Sequence, residues 1–255
     1  MVFTLKKLNR LFKACFKFKT MKTKHSFFIL LFFCAFICYS QTIKGIYTIQ
    51  PLKGIGDTSE LSERAKKPLY FSYTFSKNKS LQELIEGGGT YIDTIYNEYK
   101  EVPGEKFASK SVTNRAKKIL YYKDFSISNY RVYSEKNNNE IYVSDNLPIY
   151  EWKFENVSKT ISGYNCKKAT TIKKSLNRTI NIVAWYCEDI AINDGPLDFS
   201  GLPGFIVQVE NDDTTIIKFE KIKIISNSPT EIVLPEITTK PITIKEYETN
   251  TLNGK

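Results

Sequence analysis

The sequence predicts a mainly β fold: a single curved antiparallel sheet or half-barrel with one or two short helices. Short runs alternate apolar and polar side chains at the period of a strand, turn residues separate these runs, and few stretches have a helical period. No linker or repeat divides the chain. One β-rich domain is therefore predicted over residues 41–235, with a loosely ordered tail over residues 236–255.

The predicted elements follow in chain order. The strand candidates are Ile43–Ile49, Leu69–Phe75, Ile119–Tyr122, Tyr130–Tyr133, Glu140–Ser144, Tyr150–Phe154, Gly163–Thr171, Thr179–Cys187, Phe205–Glu210 and Thr215–Ile225. Turn residues separate several of these strands, at Glu135–Asn139, Asn146–Pro148 and Asn211–Asp213. Ser80 and Glu83 have the spacing of a capping box, which predicts a short helix that ends at glycines 87–89.

Residues 1–40 are predicted to be a secretory signal peptide. Lys22 and Lys24 precede an apolar run at 27–38, and Ser40 is a small residue before a polar one. A bilayer span needs about 20 apolar residues, so cleavage is favoured over a retained anchor. Met21 starts a conventional leader of residues 21–40. Residues 1–20 are either sequence upstream of a true start codon at Met21 or an extended basic region of the leader. The protein is expected to be periplasmic, outer-membrane-associated or secreted.

Removal of this leader changes the charge of the chain. The leader holds eight of the 37 Lys and Arg residues and none of the 27 acids. The remaining 215 residues therefore carry 29 basic and 27 acidic groups, a net charge of +2. A nearly neutral domain gives no basis for binding nucleic acid, and no membrane span is predicted in it.

The residues after position 40 contain no histidine, because His25 lies in the leader. This excludes Ser-His-Asp and Cys-His nucleophile pairs and histidine-ligated zinc. Catalysis would need carboxylates, lysine, tyrosine or a bound cofactor, so an enzyme is disfavoured. No catalytic residue, metal site or cofactor is predicted.

Cys166 and Cys187 lie on two strands that a turn at 175–178 joins into a hairpin. A symmetric turn places the two cysteines opposite each other and pairs Trp185 with Lys168 and Ala184 with Ala169. Cross-strand neighbours are close enough for a disulfide, and export favours its formation. The alternative is a reactive thiol pair, for which no CxxC spacing is present. Trp185, Tyr186 and Ala169 are assigned to the hairpin core.

Glycines and prolines punctuate residues 194–206, just after this hairpin. Leu202-Pro203-Gly204-Phe205 fits a type II turn, in which glycine accepts the positive φ of the third position. The segment is interpreted either as an elaborate connection into strand Phe205–Glu210 or as a loop that presents backbone N–H groups to a ligand. Its predicted site residues are Gly195, Pro196, Phe199, Gly201, Leu202, Pro203, Gly204, Phe205 and Ile206.

Residues 201–206, GLPGFI, resemble the signature of the GLPGLI family, secreted proteins of Bacteroidetes also labelled Porph_ging. Upstream, residues 161–169 (ISGYNCKKA) are similar to the family's I-x-G-Y-x-C-x-K-A run, and Trp152 begins a W-x-F strand. The resemblance extends over essentially all of the chain after the leader. It implies export and a curved sheet like that of periplasmic lipoprotein carriers. It implies no activity, because the family has none established.

Three functions are weighed. The leading one is non-catalytic binding of an apolar ligand, a lipid or a lipidated partner, suggested by aromatic-rich strands in an exported chain. The second is a protein–protein interaction module of an outer-membrane or secretion complex, with Gly195–Gly204 as the contact surface. The third is a carboxylate-based enzyme, which requires Glu188, Asp194 or Asp198 to converge in a cleft. Around these carboxylates a solvated turn is favoured over a cation site, since Ile190 and Ile192 occupy positions where a calcium loop needs oxygens.

Overall fold

Thirteen strands and one helix make up the described part of the chain. The computed structural model describes residues 41–53, 65–99, 102, 104–176, 178–212, 214–226 and 230–253, and the predicted leader lies outside them. The strands are β1 (Gln41–Pro51), β2 (Leu69–Ser76), β3 (Lys79–Glu86), β4 (Gly89–Glu98), β5 (Lys106–Arg115), β6 (Lys118–Asp124), β7 (Asn129–Lys136), β8 (Asn139–Asn146), β9 (Lys153–Ile161), β10 (Tyr164–Lys174), β11 (Thr179–Cys187), β12 (Phe205–Asn211) and β13 (Thr215–Ser226). The helix is α1 (Ile244–Leu252).

Eleven of these strands form one antiparallel sheet. Its order is β8-β7-β6-β3-β2-β1-β13-β12-β11-β10-β9, and β4 and β5 form a separate two-stranded arm. Among the described strands the two edges, β8 and β9, do not pair with each other, so the sheet stays open. The predicted mainly β, antiparallel fold is confirmed.

Irregularities in strand pairing bend this sheet. The register shifts at Ile46/Tyr47, Tyr70/Phe71, Trp185/Tyr186 and Lys167/Lys168. An extra residue on one strand bends it and increases its local twist. Strands β6–β8 and strands β9–β11, at opposite ends of the sheet, consequently contribute to the same cleft.

Aromatic side chains from the central strands fill the main core. Tyr47 stacks on Phe71 at 5.1 Å between ring centroids, and Tyr73 meets Phe219 edge-on at 5.2 Å. Phe205, from the start of β12, packs on both Tyr73 and Phe219. All five rings are almost completely buried. Offset and edge-on pairs of this kind stabilise a core beyond the area they bury, by about 0.5–1.5 kcal/mol each.

Two-residue turns join β2 to β3 and β7 to β8. Lys77 and Asn78 between β2 and β3, and Asn137 and Asn138 between β7 and β8, all have positive φ. This is the type I′ geometry that matches the twist of the flanking strands. The turn predicted at Glu135–Asn139 is therefore confirmed, whereas the Lys77–Asn78 turn is additional to the predictions.

The helix predicted from Ser80 and Glu83 is wrong, because these residues belong to β3. Ser80 and Gln82 both point inward and are fully buried, so the strand has polar residues where an apolar face would have revealed its period. A true capping box occurs later in the chain, where Thr243 and Glu246 start α1. This helix lies in the tail for which the sequence predicts only loose order.

Most predicted strands are present with bounds within a few residues, and Thr179–Cys187 agrees at both ends. The strand predicted at Tyr150–Phe154 is wrong in position. Residues 147–152 form a connecting segment, and β9 begins at Lys153. The arm formed by β4 and β5 was not predicted, because polar residues interrupt its alternation.

Candidate functional site

A cleft of about 1400 Å³ opens between the two ends of the curved sheet. One wall comes from β6–β8, the other from β10 and β11, and the segment at 147–151 lies between them. Typical small-molecule sites occupy roughly 300–1,000 Å³, so this cleft has room for a larger ligand.

Strand alternation decides which side chains of β6–β8 face the cleft. Six apolar or aromatic residues share that face: Ile119, Tyr121, Tyr130, Val132, Ile141 and Val143. Their neighbours Leu120, Tyr133 and Tyr142 form a second small core with Ile237 from the tail. The opposite face of these strands thus has its own apolar cover, while Ile119 and Tyr121 on the cleft face also pack against the main core.

Helix α1 closes one side of the cleft and is attached on both walls. Asp145 at the end of β8 accepts a hydrogen bond from Ile244 N at 3.0 Å. Glu248 accepts one from Leu176 N in the β10–β11 turn, at 3.1 Å. Ile244, Tyr247 and Glu248 all line the cleft, and no residue of the helix is buried.

The cleft reaches the Gly/Pro segment at Asp198. The Asp198 carboxylate pairs with Lys173 Nζ at 2.6 Å and accepts a hydrogen bond from the Tyr150 hydroxyl. Burial alone would raise the pKa of Asp198, but the Lys173 cation and the hydrogen bonds outweigh burial and lower that pKa below its ordinary value. Asp198 therefore stays ionised at neutral pH and holds Lys173 and Tyr150 at the base of the cleft.

The predicted binding loop is mostly inside the protein. Gly195, Pro196, Phe199, Leu202, Gly204, Phe205 and Ile206 are buried, and Gly201 and Pro203 are exposed. Ile206 N donates to Asp194 O at 2.9 Å, and Gly201 N donates to Asn193 O at 3.1 Å. These contacts favour a connection that shapes the core over a loop that offers its N–H groups to a ligand.

A buried ion pair between Asp194 and Lys123 fixes the start of this segment. Both side chains are completely inaccessible to solvent. Lys123 Nζ also donates to Gly195 O at 2.9 Å and Phe199 O at 3.2 Å, and the Tyr73 hydroxyl donates to Asp194 Oδ2 at 2.7 Å. The desolvation of both charges is thus offset by a full set of hydrogen bonds.

Gln82 of β3 fixes the next turn of the segment. Its Oε1 accepts from Leu197 N at 2.7 Å, and its Nε2 donates to Leu197 O at 3.0 Å. The Tyr47 hydroxyl donates to the same Oε1 at 2.8 Å. Leu197 has a φ of 53°, an unusual conformation for leucine, and the two-sided contact with Gln82 holds it there.

The predicted type II turn at Leu202–Phe205 is wrong. Its hydrogen bond would run from Phe205 N to Leu202 O, but Phe205 N instead donates to Ile190 O at 3.1 Å. Gly204 N donates to Leu202 O at 2.8 Å, which closes a tighter, three-residue turn. Glycine is still required at 204, because a Cβ there would lie 2.3 Å from Cys187 O.

The hairpin register predicted around the cysteines is confirmed. Trp185 pairs with Lys168, and Ala184 pairs with Ala169. Trp185, Tyr186 and Ala169 are all buried, as expected for a hairpin core. Trp185 Nε1 donates to Glu210 Oε1 at 3.0 Å, which gives the indole N–H a partner.

The disulfide predicted between Cys166 and Cys187 is not present, since both cysteines are buried free thiols. They lie one residue beyond the last hydrogen-bonded pair of the hairpin, Lys167 with Tyr186, and Cys166 Sγ is directed to Tyr164 O at 3.5 Å. Burial, together with the neighbouring Cys187, raises the pKa of Cys166 to about 12. A thiol with this pKa is protonated at neutral pH, which argues against a reactive pair.

The carboxylates considered for catalysis lie in separate surroundings. Glu188 pairs with Lys167 at the surface, Asp194 with Lys123 in the core, and Asp198 with Lys173 at the cleft. Among the described residues, no group of three or more His, Cys, Asp or Glu side chains could hold a metal ion. Each of the three carboxylates thus has its own lysine partner, and they do not converge in one cleft as the carboxylate-enzyme hypothesis requires.

The segment that contains the glycines also carries the family relationship. Residues 172–208, from the end of β10 into β12, match a family model described as "Protein of unknown function (Porph_ging)". The predicted resemblance to this family is confirmed over these residues, which are 37 of the 255 in the chain. The match covers the β11 hairpin strand and the buried Gly/Pro connection, while the GLPGLI signature itself stays a resemblance. A family of unknown function assigns no chemistry to the cleft.

Two solved structures show a partial likeness to the chain. They are described as "Structure of PNGF-II in C2 space group" and "Structure of PNGF-II in P21 space group", with 19% and 18% sequence identity. Each has a TM-score of 0.41 and covers 72% of this chain, which spans only 28% of theirs. No curated protein matches the sequence. Within the described residues, no helix has the length and apolarity to cross a membrane.

Two residues that hold the Gly/Pro segment from distant strands, Lys123 and Gln82, were not predicted from the sequence. Lys123 follows the strand candidate Ile119–Tyr122, and the same alternation, continued by one residue, places it on the face of Ile119 and Tyr121. An inward lysine is a signal for a buried acidic partner. Gln82 gave no such signal, because its strand was interpreted as a helix.

Proposed function

We propose that this is an exported cell-envelope protein that binds a lipid or other amphipathic ligand in its cleft, without catalysis. The observation that carries the proposal is the cleft of about 1400 Å³, with aliphatic and tyrosine side chains along one wall. A ligand that covers the water-exposed apolar surface of this wall gains binding free energy of roughly 25 cal/mol for each Å² buried.

The export part of the proposal rests on the leader predicted at residues 1–40, and its non-catalytic part on the absence of histidine after that leader. The localisation is periplasmic, outer-membrane-associated or secreted. Cleavage before Gln41 would leave β1, a central strand of the sheet, at the start of the mature chain. The N-terminal sequence of the protein recovered from the envelope fraction tests this, and an N-terminus inside residues 1–40 would contradict it.

Native mass spectrometry of the protein purified from envelope fractions tests the binding. We expect the spectra to show a retained lipid. In a separate binding assay with a fluorescent long-chain acyl probe, Val132→Trp, whose larger side chain would occupy space in the cleft, is expected to weaken binding at least about tenfold, or 1.4 kcal/mol. Val157→Trp on β9 is the matched control, since Val157 is exposed and lies outside the cleft. Equal probe binding by the two variants, or no binding by the unmodified protein, would refute the proposal.

We also propose that the Cys166–Cys187 disulfide forms once the protein reaches an oxidising compartment. The proposal is supported by the hairpin register, which, continued one pair beyond Lys167 and Tyr186, sets Cys166 opposite Cys187. Closing a loop of about 20 residues would add roughly 3 kcal/mol of stability. The exported, non-reduced protein is expected to be lighter than its reduced form by two hydrogen atoms. Cys187→Ser should abolish this difference. Two alkylatable thiols in the unreduced, denatured protein would rule the bridge out.

A second candidate function is a protein–protein interaction module, favoured by the arm formed by β4 and β5. Ile92, Tyr96 and Val112 lie on one face of the arm and are each at least 60% exposed. The surface first considered, Gly195–Gly204, is less suitable because most of it is buried. The same native spectra test the arm: a copurified protein should be lost in Ile92→Ser/Val112→Ser, and its persistence would exclude the arm.

A further inference from the structure

Two tyrosine hydroxyls at the base of the cleft have no hydrogen-bond partner in the described part of the chain. Tyr121 and Tyr130 both line the cleft, and Tyr130 is 6% exposed. Neither hydroxyl is among the fully buried atoms left without a partner, so both open to the cleft. A tyrosine hydroxyl buried to this extent normally finds a partner, and a ligand would supply it here.

The sheet register places these two hydroxyls within reach of one ligand group. Tyr130 pairs across the strands with Lys123, and Tyr121 pairs with Val132, so the two tyrosines are diagonal neighbours on the same face. Diagonal neighbours in antiparallel strands lie about 7–8 Å apart at the backbone, and long side chains bridge that distance. One oxygen-containing group could therefore contact both hydroxyls.

Both hydroxyls remain hydrogen-bond donors at neutral pH. Burial is the main reason that the pKa of each lies well above that of free tyrosine, and the Asp198 carboxylate raises both further. Such donors match a carbonyl, ester, amide or hydroxyl oxygen on the ligand.

The carboxylates near these hydroxyls already have ion-pair or hydrogen-bond partners. Asp198 is bound to Lys173, and Asp145 and Glu248 accept hydrogen bonds that hold helix α1 in place. The complete lining has four carboxylates and three lysines, so it holds no excess of positive charge. A charged group brought to the base of the cleft would lose its water, and the Asp198–Lys173 pair beside it would offer no free counter-ion.

We propose that the base of the cleft binds an uncharged head group with hydroxyl, ester or amide oxygens through the hydroxyls of Tyr121 and Tyr130. The apolar part of the ligand lies along Ile119, Val132 and Val143. This inference rests on the proposed function and specifies the ligand class: a neutral amphiphile rather than a fatty acid or a cationic lipid.

Competition against the fluorescent acyl probe tests it with three ligands of one chain length: a monoacylglycerol, a fatty acid and an alkyl-trimethylammonium. We expect the monoacylglycerol to bind at least about tenfold more tightly than either charged ligand. Tyr121→Phe/Tyr130→Phe should weaken monoacylglycerol binding by roughly fivefold or more per hydroxyl, and by a larger factor than it changes probe or fatty-acid binding. Tyr96→Phe, which removes an exposed hydroxyl from β4 outside the cleft, is the control and should alter none of them.

The outcomes separate this inference from the proposed function. If no amphiphile binds the unmodified protein, the proposed function itself fails. If the acyl probe binds but the three ligands compete equally, or the double variant keeps its preference for the monoacylglycerol, the function stands and the inference is overturned. Thermal unfolding without ligand distinguishes a binding defect from a folding defect: a double variant that melts more than a few degrees early is replaced by the two single variants.

Discussion

Lys123→Ala is expected to lower the free energy of unfolding by about 3–5 kcal/mol, because it leaves the Asp194 carboxylate buried without its counter-ion. Both side chains are fully inaccessible, and Lys123 also bonds Gly195 O and Phe199 O. One substitution thus removes an ion pair and two hydrogen bonds that hold the Gly/Pro segment on the sheet. Urea unfolding followed by tryptophan fluorescence measures the loss.

Lys167→Ala is the matched control for this prediction. Lys167 is also in a lysine–carboxylate pair, with Glu188 at 2.7 Å, but both side chains are about half exposed. Exposed pairs of this kind contribute about 0–1 kcal/mol. A similar loss in the two variants would contradict the structural role given to Lys123.

The double variant Lys123→Met/Asp194→Asn keeps the prediction testable if Lys123→Ala does not fold. It removes both charges at once, so no unpaired ion remains in the core. It is expected to be more stable than Lys123→Ala, and the difference measures the cost of leaving one charge alone. A double variant no more stable than Lys123→Ala would show that the charge itself is unimportant.

Gly204→Ala is expected to destabilise the protein by roughly 2–5 kcal/mol, from overpacking of about 1–3 kcal/mol and backbone strain of about 1–2 kcal/mol. The added Cβ would lie 2.3 Å from Cys187 O and 2.7 Å from Cys187 C. These are backbone atoms at the end of β11 and have no alternative rotamer, so the strand or the connection must move. Gly204 also has a φ of 155°, which L side chains rarely adopt.

Gly163→Ala separates the clash from the strain. Gly163 has a φ of 85° in the β9–β10 turn, but a Cβ there would meet nothing within 4 Å. This control should therefore lose only the strain contribution of about 1–2 kcal/mol. Equal urea midpoints for the two variants would mean that the approach of Gly204 to β11 does not constrain the fold.

The difference between these positions explains why the Gly/Pro segment matches a family model without indicating a function. Its glycines and prolines describe how the chain passes between β11 and β12, where Gly204 nearly touches the backbone and Gly195 lies against Ile206. The cleft lies mainly between other elements, and only Asp198 connects it to the segment. Substitutions in the segment are accordingly expected to change stability first.

Local patterns determined much of the sheet. Alternation of apolar and polar residues located β1, β2, β6–β8 and β10–β13, because each has one face that the core requires to be apolar. The turn at 175–178 was enough to fix the register of β10 with β11, since the side-chain period of two allows no intermediate alignment. Where polar residues face inward, as Ser80 and Gln82 do, the alternation is lost, and the capping-box spacing of Ser80 and Glu83 predicted a helix instead.

The sequence by itself determined that this is a mainly β chain, with a predicted leader, a correctly registered cysteine hairpin and a recognisable Gly/Pro segment. Tertiary structure decided that Lys123, Gln82 and Tyr73 hold that segment from strands 70 or more residues away in the chain. It also decided that the two ends of the sheet face one cleft with Tyr121 and Tyr130 at its base. The physical reason is that periodicity reports which face of a strand is buried. What a buried polar group contacts depends on how distant strands are brought together, which no local pattern records.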